Sequence, residues 1–174
     1  MAQNEFSISA KATRWIKSQG YTPHRDMDEH IAEWRNWYTC GDDFYKVHYI
    51  TTEGNKRSRE RCSIHPARKV CREMASLILT EDTEVSVEAK LANEWLQEFL
   101  AYANFWPTGQ LVVEQAFSLG TAAWALQFDT SVPSIQLRRY DARMIVPLTW
   151  DDDGVRECAF VTRIMLKGKP AEQV

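Results

Sequence analysis

The hydrophobic period of this chain shifts from mainly helical to strand-like at Gly120, and that change constrains the fold more than any other feature. Before it, apolar residues recur at helical spacing. After it, Ala122, Trp124, Leu126 and Phe128 alternate with Ala123, Ala125, Gln127 and Asp129. A spacing of three and four lines up side chains on one helix face, whereas a spacing of two lines them up on one face of a strand. Helices first and strands second predict an α+β fold, N-terminal amphipathic helices followed by an antiparallel sheet.

Within the first part, residues Ser7 to Gln19 read as a helix closed by Gly20, and Asp26 to Thr39 as a second, ended by Gly41. The second carries Ile31, Trp34, Trp37 and Tyr38 on one stripe. A third helix is predicted across Cys62 to Glu81, with Ile64, Ala67, Cys71, Met74, Ala75 and Ile78 on its apolar face. Arg68, Lys69, Arg72, Glu73 and Ser76 fall on the other face. Ser63 is the expected cap, and Pro66 fits the first turn. Glu88 to Phe105 predicts a long helix broken by Pro107, and Gly109 to Leu119 another.

Short strands are expected at Phe44 to Ile50 and Thr83 to Val87, with a charged loop at Glu53 to Arg61. Further strands fall at Ile135 to Tyr140, Met144 to Leu148 and Val155 to Leu166, with Asp151 to Gly154 as a turn. The tail KGKPAEQV promises no element to cover the last strand, an exposed edge that a lone protein must manage. The expected organisation is therefore one partial domain over 1–174. It has a mainly helical part at 1–120 with a short strand near 44–50, an antiparallel part at 121–166 and a truncated tail at 167–174.

Composition narrows the function. The chain has 174 residues, 44% hydrophobic and 26% charged, with few Gly and Pro, which is globular and not disordered. Its net charge of −3 disfavours a module that grips phosphates, though a conduit past which DNA slides needs no strong attraction. Seven Trp is rich for this length and suits broad buried surfaces, in a core or at an interface. Cys40, Cys62, Cys71 and Cys158 show no disulfide spacing and read as buried thiols in a reducing compartment. No signal peptide or membrane span is visible, so a soluble cytoplasmic product is expected.

Candidate chemistry is thin. Cys62, His65 and Cys71, with Cys40 or His48 as a fourth ligand, contain zinc-ligand types at a spacing that fits no standard knuckle. Packed thiols and a surface histidine are the plainer reading. Asp151, Asp152 and Asp153 could hold a divalent cation but lack flanking ligands, and the Asp-Gly pair signals a turn. There is no phosphate loop and no nucleophile motif, so neither a catalytic residue nor a cofactor is expected. Lys56, Arg57, Arg59 and Arg61, with Arg68, Lys69 and Arg72 beyond, form the densest basic region, which fits a solvated loop or a contact with an acidic partner.

Four segments resemble the N-terminal part of tailed-bacteriophage portal proteins, particularly those of phages infecting Gram-positive bacteria. In order, they are EWRNWYTCG, CSIHPARKVCREMASLILTE, LQEFLAYANFWPTGQLVVEQAFSLGTAAWAL and YDARMIVPLTWDDDGVRECAFVTR. They cover about Ile31 to Arg163, and only the order Asp141-Ala142 departs from the family's Ala-Asp. The resemblance implies a wing-like region of a structural subunit. Such subunits form a ring, typically of twelve, at one capsid vertex of the virion, assembled in the host cytoplasm. Implied partners are further copies of the chain, capsid and scaffold proteins, the terminase, a head-completion adaptor and double-stranded DNA passing without sequence preference. Membrane association is not implied.

Family members are considerably longer, and the stem, clip and crown would come from sequence beyond these segments. A truncated chain, a remnant gene or a short homologue is therefore expected. Trp34, Trp37, Trp95, Trp106 and Trp124 are the expected core or interface anchors. Arg57, Arg59 and Arg61 are expected in a loop that meets a neighbouring subunit, capsid or scaffold. Two other readings compete: a small adaptor that captures a protein segment on its exposed strand edge, and a thiol or zinc enzyme built on Cys62, His65 and Cys71.

Overall fold

A computed structural model describes residues 10–41, 45–80, 82–129, 134–166 and 169–174. The described residues form five helices and eight strands: α1 (Ala10–Ser18), α2 (Asp28–Thr39), β1 (Lys46–Ile50), β2 (Lys56–Glu60), α3 (Pro66–Ile78), α4 (Lys90–Tyr102), α5 (Phe105–Leu119), β3 (Ala122–Asp129), β4 (Ser134–Asp141), β5 (Ile145–Asp151), β6 (Gly154–Phe160), β7 (Thr162–Leu166) and β8 (Lys169–Gln173). The α+β class holds. In place of one sheet, however, the described strands form four antiparallel pairs: β1–β2, β3–β4, β5–β6 and β7–β8.

Several boundaries differ from expectation for identifiable reasons. Lys56–Glu60 is a strand and not part of a loop, because it pairs along its whole length with β1. Thr83–Val87 forms no strand. Pro107 does not break a helix. It sits in the first turn of α5, where a missing N–H costs nothing, and the break falls earlier at Asn104 in the left-handed region (φ 48°). Likewise Cys40, and not Gly41, takes the left-handed position ending α2. The cap of α3 is His65, while the Ser63 hydroxyl accepts the His65 N–H at 3.1 Å. Lys169–Gln173 pairs with Thr162–Leu166, so the final expected strand is not left bare on that side. Phe44 and the first residues of the predicted N-terminal helix lie outside the described residues.

Two small hydrophobic clusters hold the elements together. In one, Ala12 and Ile16 of α1 meet Val146 of β5 and Val161, with Tyr21, Leu148 and Ala159 packed around them. In the other, Ile31 of α2 meets Leu119 of α5 and Ala142 of the β4–β5 turn, beside Trp34. Close approach fixes the helix contacts: a Cβ on Gly109 would come within 2.6 Å of Leu79, and one on Gly120 within 2.8 Å of Trp34. Gly120 also needs its positive φ of 82° to stop α5.

The accessible surface is 13318 Å². A compact monomer of 20.2 kDa exposes about 8,800 Å². Among the described residues many large apolar side chains face outward, Leu91, Tyr102, Leu126 and Phe128 among them.

Candidate functional site

The helices are tied by a polar knot. Glu114 lies in the apolar run LVVEQAF of α5, which buries its side chain between α2 and α3. Tyr38 of α2 donates its hydroxyl to Glu114 Oε1, and Arg72 Nε of α3 donates to the same oxygen at 3.1 Å. Arg68 Nε reaches the Tyr38 hydroxyl at 3.3 Å, with its guanidinium 5.3 Å from the ring centre. Burial and the neighbouring Glu114 carboxylate push the Tyr38 phenol above its ordinary value. Burial, helped by Glu114, pushes the Cys71 thiol up as well, so this cysteine is a poor nucleophile. Arg68 and Arg72, expected on the face opposite the apolar stripe, thus join three helices.

A second buried acid shapes the turn between β4 and β5. Asp141 Oδ1 accepts the Arg143 backbone N–H at 2.9 Å, and the Arg143 guanidinium holds both carboxylate oxygens. Burial raises the Asp141 carboxyl, and the charge of Arg35 opposes it. The knot and the turn place charge where it locks backbone, with no open face toward a substrate. Sequence reasoning singled out neither acid. A lone Glu inside an apolar helix run and an Asp two residues before Arg were the available signals.

The most accessible site is the β1–β2 ribbon. Thr51 and Gly54 close its turn: the Gly54 N–H donates to Thr51 O at 2.8 Å and the Thr51 N–H to Asn55 O at 2.9 Å. Its register sets Val47 opposite Arg59 and Tyr49 opposite Arg57, and Arg61 N–H donates to Tyr45 O at 2.7 Å. Residues opposed in an antiparallel pair share a face. One face therefore carries Tyr45, Val47 and Tyr49 beside Arg57, Arg59 and Arg61. Tyr45 and Val47 are half-buried and the rest of both strands is exposed. Of the three arginines, expected in a loop, Arg57 and Arg59 are aligned by β2 and Arg61 follows its last residue.

Other candidates scatter. Trp34 covers Gly120 and Trp124 stacks on Phe105 at 5.6 Å, both half-buried. Trp106 meets Phe105 edge-on at 5.1 Å, Trp95 stacks on Phe99, and Trp37 and Trp95 stay exposed. Cys62, His65 and Cys71 do not converge: among the described residues no group of three metal-ligating side chains forms. Asp151 and Asp153 pair with Arg156 at 2.6 and 3.0 Å across the hairpin turn. An open groove of about 460 Å³ runs between α1, β3–β4 and β5–β6, lined by Trp15, Tyr21, Leu126, Gln127, Cys158 and Phe160. Burial raises the Cys158 thiol there. Among the described residues no helix is long and apolar enough to cross a membrane.

Neither the curated proteins nor the solved structures compared with this chain give a significant match. One family model does match, that of the phage portal protein, SPP1 Gp6-like, over residues 23–172. The match spans the Ile31–Leu119–Ala142 cluster, the Glu114 knot, the Asp141 turn and the ribbon, and it begins after Ala12 and Ile16 of the other cluster. The chain belongs to the SPP1 Gp6-like family of phage portal proteins, a structural family.

Proposed function

We propose that this chain works as part of the wing of a portal ring at one vertex of the virion, through which double-stranded DNA is packaged and ejected. On this reading it is one partial domain. It acts by assembly and not by bond chemistry, and a ring of about twelve copies surrounds the DNA path. Capsid or scaffold, the terminase motor and a head-completion adaptor are its further partners. Trp34, Trp37 and Trp106 serve as core or interface anchors, and Arg57, Arg59 and Arg61 meet a neighbouring molecule.

The observation that carries this reading is the surface. The chain exposes 13318 Å², about half as much again as a compact monomer of its mass. Leu91, Trp95, Tyr102, Leu126 and Phe128 are among its exposed apolar side chains. Apolar area of that size costs about 25 cal/mol per Å² to keep in water, a strong drive to find a neighbour. Electron microscopy of any large species tests it: closed rings are expected, and shapeless aggregates at every concentration would count against it.

A rival reading, a small adaptor that captures an extended segment, draws on one feature. The β1–β2 ribbon has only two strands among the described residues, so each offers an outer edge for another strand. A stable monomer that binds short extended peptides would favour it.

A further inference from the structure

We infer that the β1–β2 ribbon of one copy docks on the outward face of α4 of the next, a head-to-tail contact between copies of this chain. This rests on the ring-assembly reading above and names the surfaces that would build it.

The face of α4 is unusual. Leu96, Phe99, Leu100 and Ala103 turn inward and are buried or half-buried. Leu91, Glu94, Trp95, Glu98 and Tyr102, at spacings of three and four, share the opposite side. All five are exposed; Leu91 is 81%, Trp95 53% and Tyr102 77% accessible. A solvated helix face is ordinarily polar throughout. This one interleaves large apolar side chains with two acids.

The ribbon face is its complement. Tyr45, Val47 and Tyr49 are interleaved with Arg57, Arg59 and Arg61. The lengths agree: thirteen helical residues span about 20 Å and a five-residue strand about 17 Å. Arg57, Arg59, Glu94 and Glu98 join no ion pair among the described residues. Glu94 and Glu98 stand one helical turn apart and repel each other. Arginines two residues apart on a strand face do the same. Docking relieves both repulsions while tyrosine and valine cover leucine and tryptophan.

Geometry also selects another copy as the occupant. Ribbon and helix face are different surfaces, so the contact is heterologous, and repetition of one heterologous contact generates a ring when the rotation closes. Segments 81–98 carry Glu81, Asp82, Glu84, Glu88, Glu94 and Glu98 against Lys90, while 45–61 carries Lys46, Lys56, Arg57, Arg59 and Arg61 against Glu53 and Glu60. The two ends of the contact are thus opposite in net sign.

Charge reversal tests it, with sedimentation of the chain over a range of concentrations and circular dichroism to verify folding. Arg57→Glu with Arg59→Glu, and separately Glu94→Lys with Glu98→Lys, are each expected to weaken self-association at least about tenfold. An equimolar mixture of the two variants, in which every contact regains opposite charges, is expected to assemble again. Loss in both variants without recovery on mixing would overturn the inference. Assembly untouched by either reversal would overturn it too, leaving the ring reading intact and assigning the ribbon to some other acidic partner. A wild-type chain that stays monomeric throughout would overturn both.

Discussion

Two hairpins of similar size meet opposite fates in this molecule. β5–β6 turns Val146 inward at 0% exposure beneath Ala12 and Ile16 of α1, and its turn is braced by Arg156 between Asp151 and Asp153. β1–β2 has no buried residue, and half-buried Tyr45 and Val47 are its closest approach to a core. An isolated two-stranded hairpin is at best marginal in water. The first hairpin is completed by a helix of its own chain. The second presents an arginine–tyrosine face on which Val47 is half-buried and Tyr49, Arg57 and Arg59 are exposed, which points its stabilisation outward.

The widest separation between the two hairpins is expected from truncating their anchors. Ile16→Ala opens a cavity over Val146 and should cost about 3 kcal/mol. That lowers the melting temperature of a chain this size by roughly 6–12 °C. Val47→Ala in the ribbon should move the melting temperature of dilute protein far less, and an equal loss would break the comparison. Glu114→Ala comes next: Tyr38 and Arg72 lose their shared acceptor, at about 1–3 kcal/mol measured by urea unfolding.

Alkaline pH sharpens the assignment of that knot. The folded-state value of Tyr38 is raised above its ordinary 10.0, so between that and the raised value the unfolded chain has lost a proton that the folded chain keeps. Its contribution is fully present below pH 10 and is lost as pH climbs through the folded value. Tyr38→Phe should flatten that part of the stability–pH curve, and an unchanged slope would refute the link. The smallest effect belongs to Arg57→Ala, expected within about 0.5 kcal/mol of wild type in thermal unfolding of dilute protein while weakening self-association.

The same contrast explains what the sequence could tell. Elements with one buried face were legible, because burial imposes a period, as in α2 from Ile31 and Trp34; β3 was legible from its alternating run even though Leu126 and Phe128 on its apolar side stand exposed. Gly20 and Gly120 marked stops because each takes a positive φ. The strand Lys56–Glu60 was not legible as one, since KRSRE buries nothing and so carries no hydrophobic period. The alternation of Arg57, Arg59 and Arg61 was present all along as a period of two in charge. Pro107 misled because proline ends a helix only from its interior. Glu114 and Asp141 escaped notice because a buried acid is defined by partners far away in sequence, here Tyr38, Arg72 and the charge of Arg35.

Amide hydrogen exchange, read segment by segment in dilute and concentrated protein, tests the central claim most directly, that the ribbon is completed by another copy of the chain. Protection of β1–β2 and α4 is expected to rise with concentration while β5–β6, already covered by α1, stays unchanged. Ribbon protection that is the same at every concentration would contradict the account.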